Sequence, residues 1–167
     1  MFLSDIADGT SVFIDANIFV YHFTANSRFN QSCTDFLERA EAGGVHGVTS
    51  ASVALEATHR LMIEEAKLHL PDIKPKDIVS YLKAHPEIIK KLTIHQTIPS
   101  KITMLNIKII PLDIRTIERS QKIKTEYGLL SNDAVISQIM KDLDVLCLAS
   151  NDADFEDMDF ITLYRPI

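Results

Sequence analysis

Residues 12–21 read VFIDANIFVY. Val12 to Ile14 is an unbroken apolar run, Asp15 interrupts it, and Ile18, Phe19 and Phe23 resume it with spacing suited to packing. A short apolar run of this kind predicts a buried strand, and Asp15 to His22 predicts a strand-to-helix junction. The acid in the middle needs a reason, because an uncompensated carboxylate costs several kcal/mol to bury. Asp15 therefore caps the next element, is paired, or belongs to a site.

The same grammar continues outward. Residues 28–42 carry Cys33, Phe36, Leu37 and Ala40 at helical spacing and stop on Gly43 and Gly44. Val45 to Val48 predicts a second strand, and Thr49 or Ser50 offers an N-cap to a long helix over 51–69. Pro71 and Pro75 end it, and residues 76–105 predict one or two helices punctuated by Pro86 and Pro99. Ile107 to Leu112 predicts a strand, and Asp113 caps a helix through Tyr127. Ser131 or Asn132 caps a further helix to about Leu143, before strands at 145–149 and 160–163. Strand and helix alternate, with no repeat and no linker. The class is therefore α/β, one domain over 1–167, with a central, mainly parallel sheet of short strands flanked by helices. Ligands of such sheets bind beyond the carboxyl ends of the strands.

The totals narrow the classes. Hydrophobic residues are 46% and charged residues 24% of the chain, an ordinary globular balance. No apolar run approaches the roughly 18 residues of a membrane span. The N-terminal stretch holds Asp5 and Asp8 and no basic lead, so a signal peptide is not expected. Cys33 and Cys147 lie in apolar patterns and are expected to be reduced thiols of a cytoplasmic protein. The net charge of −6 argues against a plain nucleic-acid binder. Its distribution is uneven: residues 74–124 hold 11 basic and 4 acidic residues, net +7, which leaves −13 on the rest. That stretch reads either as a solvated helical face or as a phosphate-holding region, with Lys90 and Lys91 as candidate contacts.

Asp15 follows the first strand, and Glu56 lies on the helix after the second. Asp133 lies in the first turn of a later helix, and Asp152, with Asp154 two residues on, follows the fourth strand. Singly, each has a bland reading as cap, solvated acid or turn residue. Together they share one address, the edge where strand ends and helix starts converge. Carboxylates gathered there raise one another's pKa, and a hard divalent cation relieves the repulsion. Mg²⁺ or Mn²⁺ held by oxygen ligands suits phosphodiester hydrolysis.

The four stretches VFIDANIFVY, VTSASVALEATHRL, LLSNDAVISQIM and LASNDADF, in this order, resemble the PIN domain, and most of all the VapC-type toxins and their free-standing relatives. The resemblance covers essentially the whole chain. It places the family's acids on Asp15, Glu56, Asp133 and Asp152, and its supporting polar residues on Asn17 and Ser150. It implies a Mg²⁺- or Mn²⁺-dependent ribonuclease acting on RNA, a homodimer and, for a toxin, an antitoxin that inserts a segment near the acids. The chain departs from the shortest members by a helical insertion around 71–105. A non-catalytic PIN-like module that binds RNA or protein is the alternative. A haloacid-dehalogenase-like phosphatase would need an acid where Asn17 stands, and Glu56-x-x-His59 is only half of a di-iron motif.

Overall fold

The computed structural model describes residues 1–167. Five strands form one sheet: β1 (Ser11–Ile14), β2 (His46–Ser50), β3 (Lys108–Ile110), β4 (Cys147–Ala149) and β5 (Thr162–Tyr164). Their order is β3-β2-β1-β4-β5 and every pairing is parallel. Phe13 stands opposite Val48 on one side and Leu148 on the other. The central strand is therefore covered on both faces, which is why its sequence is continuously apolar.

Eight α-helices surround the sheet. Helices α1 (Ala16–Phe23), α2 (Asn30–Glu41) and α3 (Ala51–His69) pack together. Three short helices follow, α4 (Ile78–Ala84), α5 (Pro86–Ile89) and α6 (Ile98–Met104), the first and last of which pack on α3. Helices α7 (Ile114–Tyr127) and α8 (Ser131–Asp142) pack on each other. Right-handed crossovers put α1, α2 and α3 on one face of the sheet and α7 and α8 on the other. From β1 the chain winds outward to β2 and β3, then crosses back to β4. The crevice between the carboxyl ends of β1 and β4 is thus the switch point where open α/β sheets bind ligands.

The main core joins both faces around Phe13, Phe19, Phe36 and Phe155. A separate small cluster of Ala66, Ile78, Leu82 and Leu92 holds the insertion. Residues 76–105 are thus three short helices, with a 3₁₀ turn before the first and another before the last, where the sequence predicts one or two. Pro86 and Pro99 each open a new helix, and the segments between them are too short to merge. The start of α8 also differs from expectation. Its N-cap is Leu130, with no side-chain cap, because the Ser131 hydroxyl instead accepts from Lys124 and Asn132 is used elsewhere. Ser50, rather than Thr49, caps α3 by accepting from Val53 N at 3.2 Å.

Glu65 ties the insertion down. It is buried on α3, where Oε1 accepts from the backbone of Thr93 at 2.7 Å and Ile94 at 3.1 Å. Its Oε2 meets His95 N at 3.3 Å and His95 Nδ1 at 3.2 Å. Burial pushes this carboxyl up, but the hydrogen bonds outweigh it and hold the group below its ordinary value. Glu65→Ala leaves those amides without their acceptor, at about 1–3 kcal/mol. The expected result is loss of hydrogen-exchange protection at Thr93–His95 with β1 amides still protected. Unchanged protection at 93–95 would show that the insertion is held otherwise.

Candidate active site

Asp15 ends β1 and opens α1. It is only 7% exposed, and its two oxygens serve different partners. Oδ1 accepts from Ala16 N at 2.6 Å. Oδ2 accepts from the Ser150 hydroxyl at 2.7 Å and from the Asn17 side chain. Ser150 is fully buried at the end of β4, and its oxygen also accepts from Asn17 Nδ2 at 2.9 Å and from Asp152 N at 3.0 Å. Asn17 Oδ1 in turn accepts from Asn151 N at 3.1 Å. This knot fastens the ends of β1 and β4 together and aims the Asp152 loop. Asp152 Oδ1 accepts from Asp154 N at 3.0 Å, which closes a turn and leaves both side chains at the edge.

The other two acids come from opposite layers. Glu56 lies on α3, beside the buried stripe of Val53, Ala57 and Leu61. Its Oε2 accepts a hydrogen bond from the side chain of Asn132, which belongs to α8, so this contact bridges the two layers over the top of the sheet. Its Oε1 lies 3.6 Å from Arg60 Nη1, one turn further along α3. Asp133, next to Asn132, sits in the first turn of α8, where the positive helix end favours a carboxylate.

These groups feel one another. Burial pushes the Asp15 carboxyl up to about 6; Ser150 and Ala16 hold it back, and the charge of Glu56 adds to the rise. Asp133 is likewise pushed up to about 6, by burial first and then by the charges of Asp152, Asp15, Asp154 and Glu56. Asp15, Glu56, Asp152 and Asp154 therefore lie within electrostatic reach of Asp133, on the edge where β1 and β4 end. Their donors are hard oxygens, which is the chemistry of a Mg²⁺ or Mn²⁺ site. They do not form a closed shell: no three His, Cys, Asp or Glu side chains stand close enough to hold one ion together. The site is an open edge, whereas a cavity of about 540 Å³ between α2 and the N-terminal segment contains none of the five acids.

Asn17 and Ser150 lie against Asp15. Lys90 and Lys91 lie elsewhere, exposed on the insertion at the far end of α3. The basic stretch is in fact divided: its first part lies on the insertion packed against α3, and its last four basic residues belong to α7 itself, on the opposite face of the sheet. Arg119 is also engaged, with Asp142 at 2.5 Å. Two residues at the acids escape the sequence reading, Asn132 and Arg60. Arg60 carries a signal, since it stands four residues after Glu56, the spacing of a helical ion pair. Asn132 reads locally as a helix cap, and only the fold shows that it reaches across to α3.

The chain belongs to the PIN domain family, whose pattern it matches over residues 12–161. It is similar to Ribonuclease VapC6 of Methanocaldococcus jannaschii, 24% identical over 156 residues, which cover 93% of this chain and 97% of that protein. Ribonuclease VapC2 of the same organism is 26% identical over 153 residues, 91% of each chain. Among solved structures, VapBC2 from Rickettsia felis bound to a promoter DNA fragment superposes with a TM-score of 0.53 at 15% identity, covering 95% of this chain and all of that one. VapC20 of Mycobacterium tuberculosis, a Sarcin-Ricin loop cleaving toxin, gives 0.52 at 13% identity, over 90% of this chain and 96% of that one. These superpositions share the five-stranded fold.

The raised acids fix the pH dependence of the ion-free protein. Between about pH 4 and about pH 6 the folded chain holds protons on Asp15 and Asp133 that the unfolded chain has released, so their contribution to stability falls as pH rises. In chelator, Asp133→Asn is expected to flatten this fall and to raise the melting midpoint at neutral pH by roughly 2–4 °C. A slope identical to that of the unaltered protein would show that Asp133 does not carry the repulsion.

Proposed function

We propose that this chain is a divalent-metal-dependent ribonuclease whose site is built from Asp15, Glu56, Asp133 and Asp152, with Asp154 at its rim. One observation carries the reading: carboxylates from β1, α3, α8 and the loop after β4 converge on the switch-point crevice of a PIN fold. The names of the curated relatives point the same way. A bound Mg²⁺ or Mn²⁺ would supply Lewis acidity toward a phosphoryl oxygen and toward water. The chain supplies the rest. Asp15, fixed by Asn17, Ser150 and Ala16, is the rigid anchor. Asp133 and Asp152 approach it from α8 and from the loop after β4. An ionised carboxylate among them can also take a proton from attacking water.

An open, acidic edge suits a polymer better than a small molecule, since a chain can lie across it. Phosphates away from the reacting one need cations, and Lys90 and Lys91 are proposed to serve there. Glu65, which holds the insertion, is nine residues beyond Glu56, about 14 Å along the helix. Their contacts therefore fall on nucleotides flanking the cut. A partner protein in the manner of an antitoxin is proposed to cover the edge. Leu55 and Leu130, 72% and 71% exposed, flank Glu56 and Asn132 and offer apolar contacts for it.

Purified protein is expected to cut labelled RNA in Mn²⁺ or Mg²⁺ and not in chelator. Asp15→Asn and Asp133→Asn are each expected to lower the rate by at least about a hundredfold, the scale of losing a positioned charged group. Cutting by either variant at the unaltered rate would refute the assignment. Charge reversal at Lys90 and Lys91 is expected to raise KM for RNA of a dozen or more nucleotides and to spare a trinucleotide. Equal KM for the long RNA would remove these lysines from the substrate path.

A further inference from the structure

Arg60 stands among the acids without belonging to the knot that organises them. Its guanidinium meets only Glu56 Oε1, at 3.6 Å, and the side chains are 41% and 36% exposed. An exposed pair four residues apart on a helix is worth only a few tenths of a kcal/mol. Glu56 does not depend on it, because Asn132 holds its other oxygen. Four other arginines are committed elsewhere: Arg39 to Asp8 at 2.8 Å, Arg119 to Asp142 at 2.5 Å, Arg165 to Glu156, and Arg28 over the Phe29 ring at 4.4 Å. Arg60 is the one whose charge reaches Asp15.

A cation arriving at the carboxylates competes with Arg60 for Glu56 and repels its charge. The released guanidinium stays one helical turn from Glu56, and its planar fork fits two oxygens of a phosphate. We propose that Arg60 is the phosphate-binding residue of this site, parked on Glu56 until a divalent ion takes that carboxylate. The inference rests on the reading of the acids as a cation site in a ribonuclease. It gives Arg60 two opposed effects: it weakens ion binding when no RNA is present, and it strengthens RNA binding once the ion is there.

Two titrations separate these effects, neither needing turnover. Mn²⁺ binding is measured by calorimetry on the unaltered protein, Arg60→Gln, Arg60→Lys and Asp133→Asn. Single-stranded RNA binding is measured by fluorescence anisotropy in Ca²⁺ across a salt series. Arg60→Gln is expected to bind Mn²⁺ roughly three- to tenfold more tightly and RNA about tenfold more weakly, with the salt slope reduced by about one. Arg60→Lys keeps the charge without the fork, so it should match the unaltered protein for Mn²⁺ and fall between the two for RNA. Unchanged or weaker Mn²⁺ binding by Arg60→Gln, or unchanged RNA binding, overturns the proposal. If the unaltered protein takes up no Mn²⁺, the cation-site reading fails and the proposal falls with it. If it binds Mn²⁺ and Asp133→Asn does not, that reading stands and the Arg60 variants decide alone.

Discussion

A buried carboxylate at the junction of β1 and α1 is the constraint around which this chain is organised. Asp15 is almost wholly removed from water, and its three hydrogen bonds offset only part of the desolvation. The remainder appears as a carboxyl pushed up to about 6. Nothing in the apolar core could make use of that charge. The chain places it where β1 and β4 diverge, the one part of a parallel sheet where a polar group can be buried by the backbone and still face a crevice. Ser150 and Asn17 are buried with it because a half-satisfied polar group there would be worse than none.

From this constraint follows a division within the edge. Asp15, Asn17 and Ser150 form a rigid side, locked by hydrogen bonds between two central strands. Glu56, Asp133, Asp152 and Asp154 form an adjustable side, more exposed and carried by α3, α8 and a short turn. The neighbouring charges raise the Asp133 carboxyl, and no three acidic side chains share a single ion position. In the proposed nuclease, a rigid anchor with adjustable partners would let an ion be gathered in with its waters. The Asn132 to Glu56 contact limits how far the two layers can separate there.

Much of this was legible in the sequence, and the reasons differ from residue to residue. The apolar run from Val12 to Ile14 marks a central strand because both of its faces are covered. Ser50 and Asp113 mark helix starts because their side chains cap by local hydrogen bonds. The clustering of the acids follows from topology, since parallel strands deliver their ends to one edge. What was hidden depends on contacts between layers. Asn132 looks like a cap in isolation, yet its amide is spent on α3. The basic stretch looks continuous as a string, yet it folds onto two faces. The insertion looks like one or two helices, because apolar spacing does not reveal how its prolines divide it.

In the proposed function, an incoming cation compensates the charge of Asp15 and its neighbours. The direct measurement is the carboxyl-carbon chemical shift of Asp15 and Asp133 as a function of pH, by nuclear magnetic resonance, in chelator and then in Mg²⁺. In chelator both groups should titrate near 6. In Mg²⁺ both midpoints should move down by a unit or more, as roughly 1.4 kcal/mol or more of ion binding favours the charged form. Titration curves that Mg²⁺ leaves unmoved would show that no ion compensates these carboxylates.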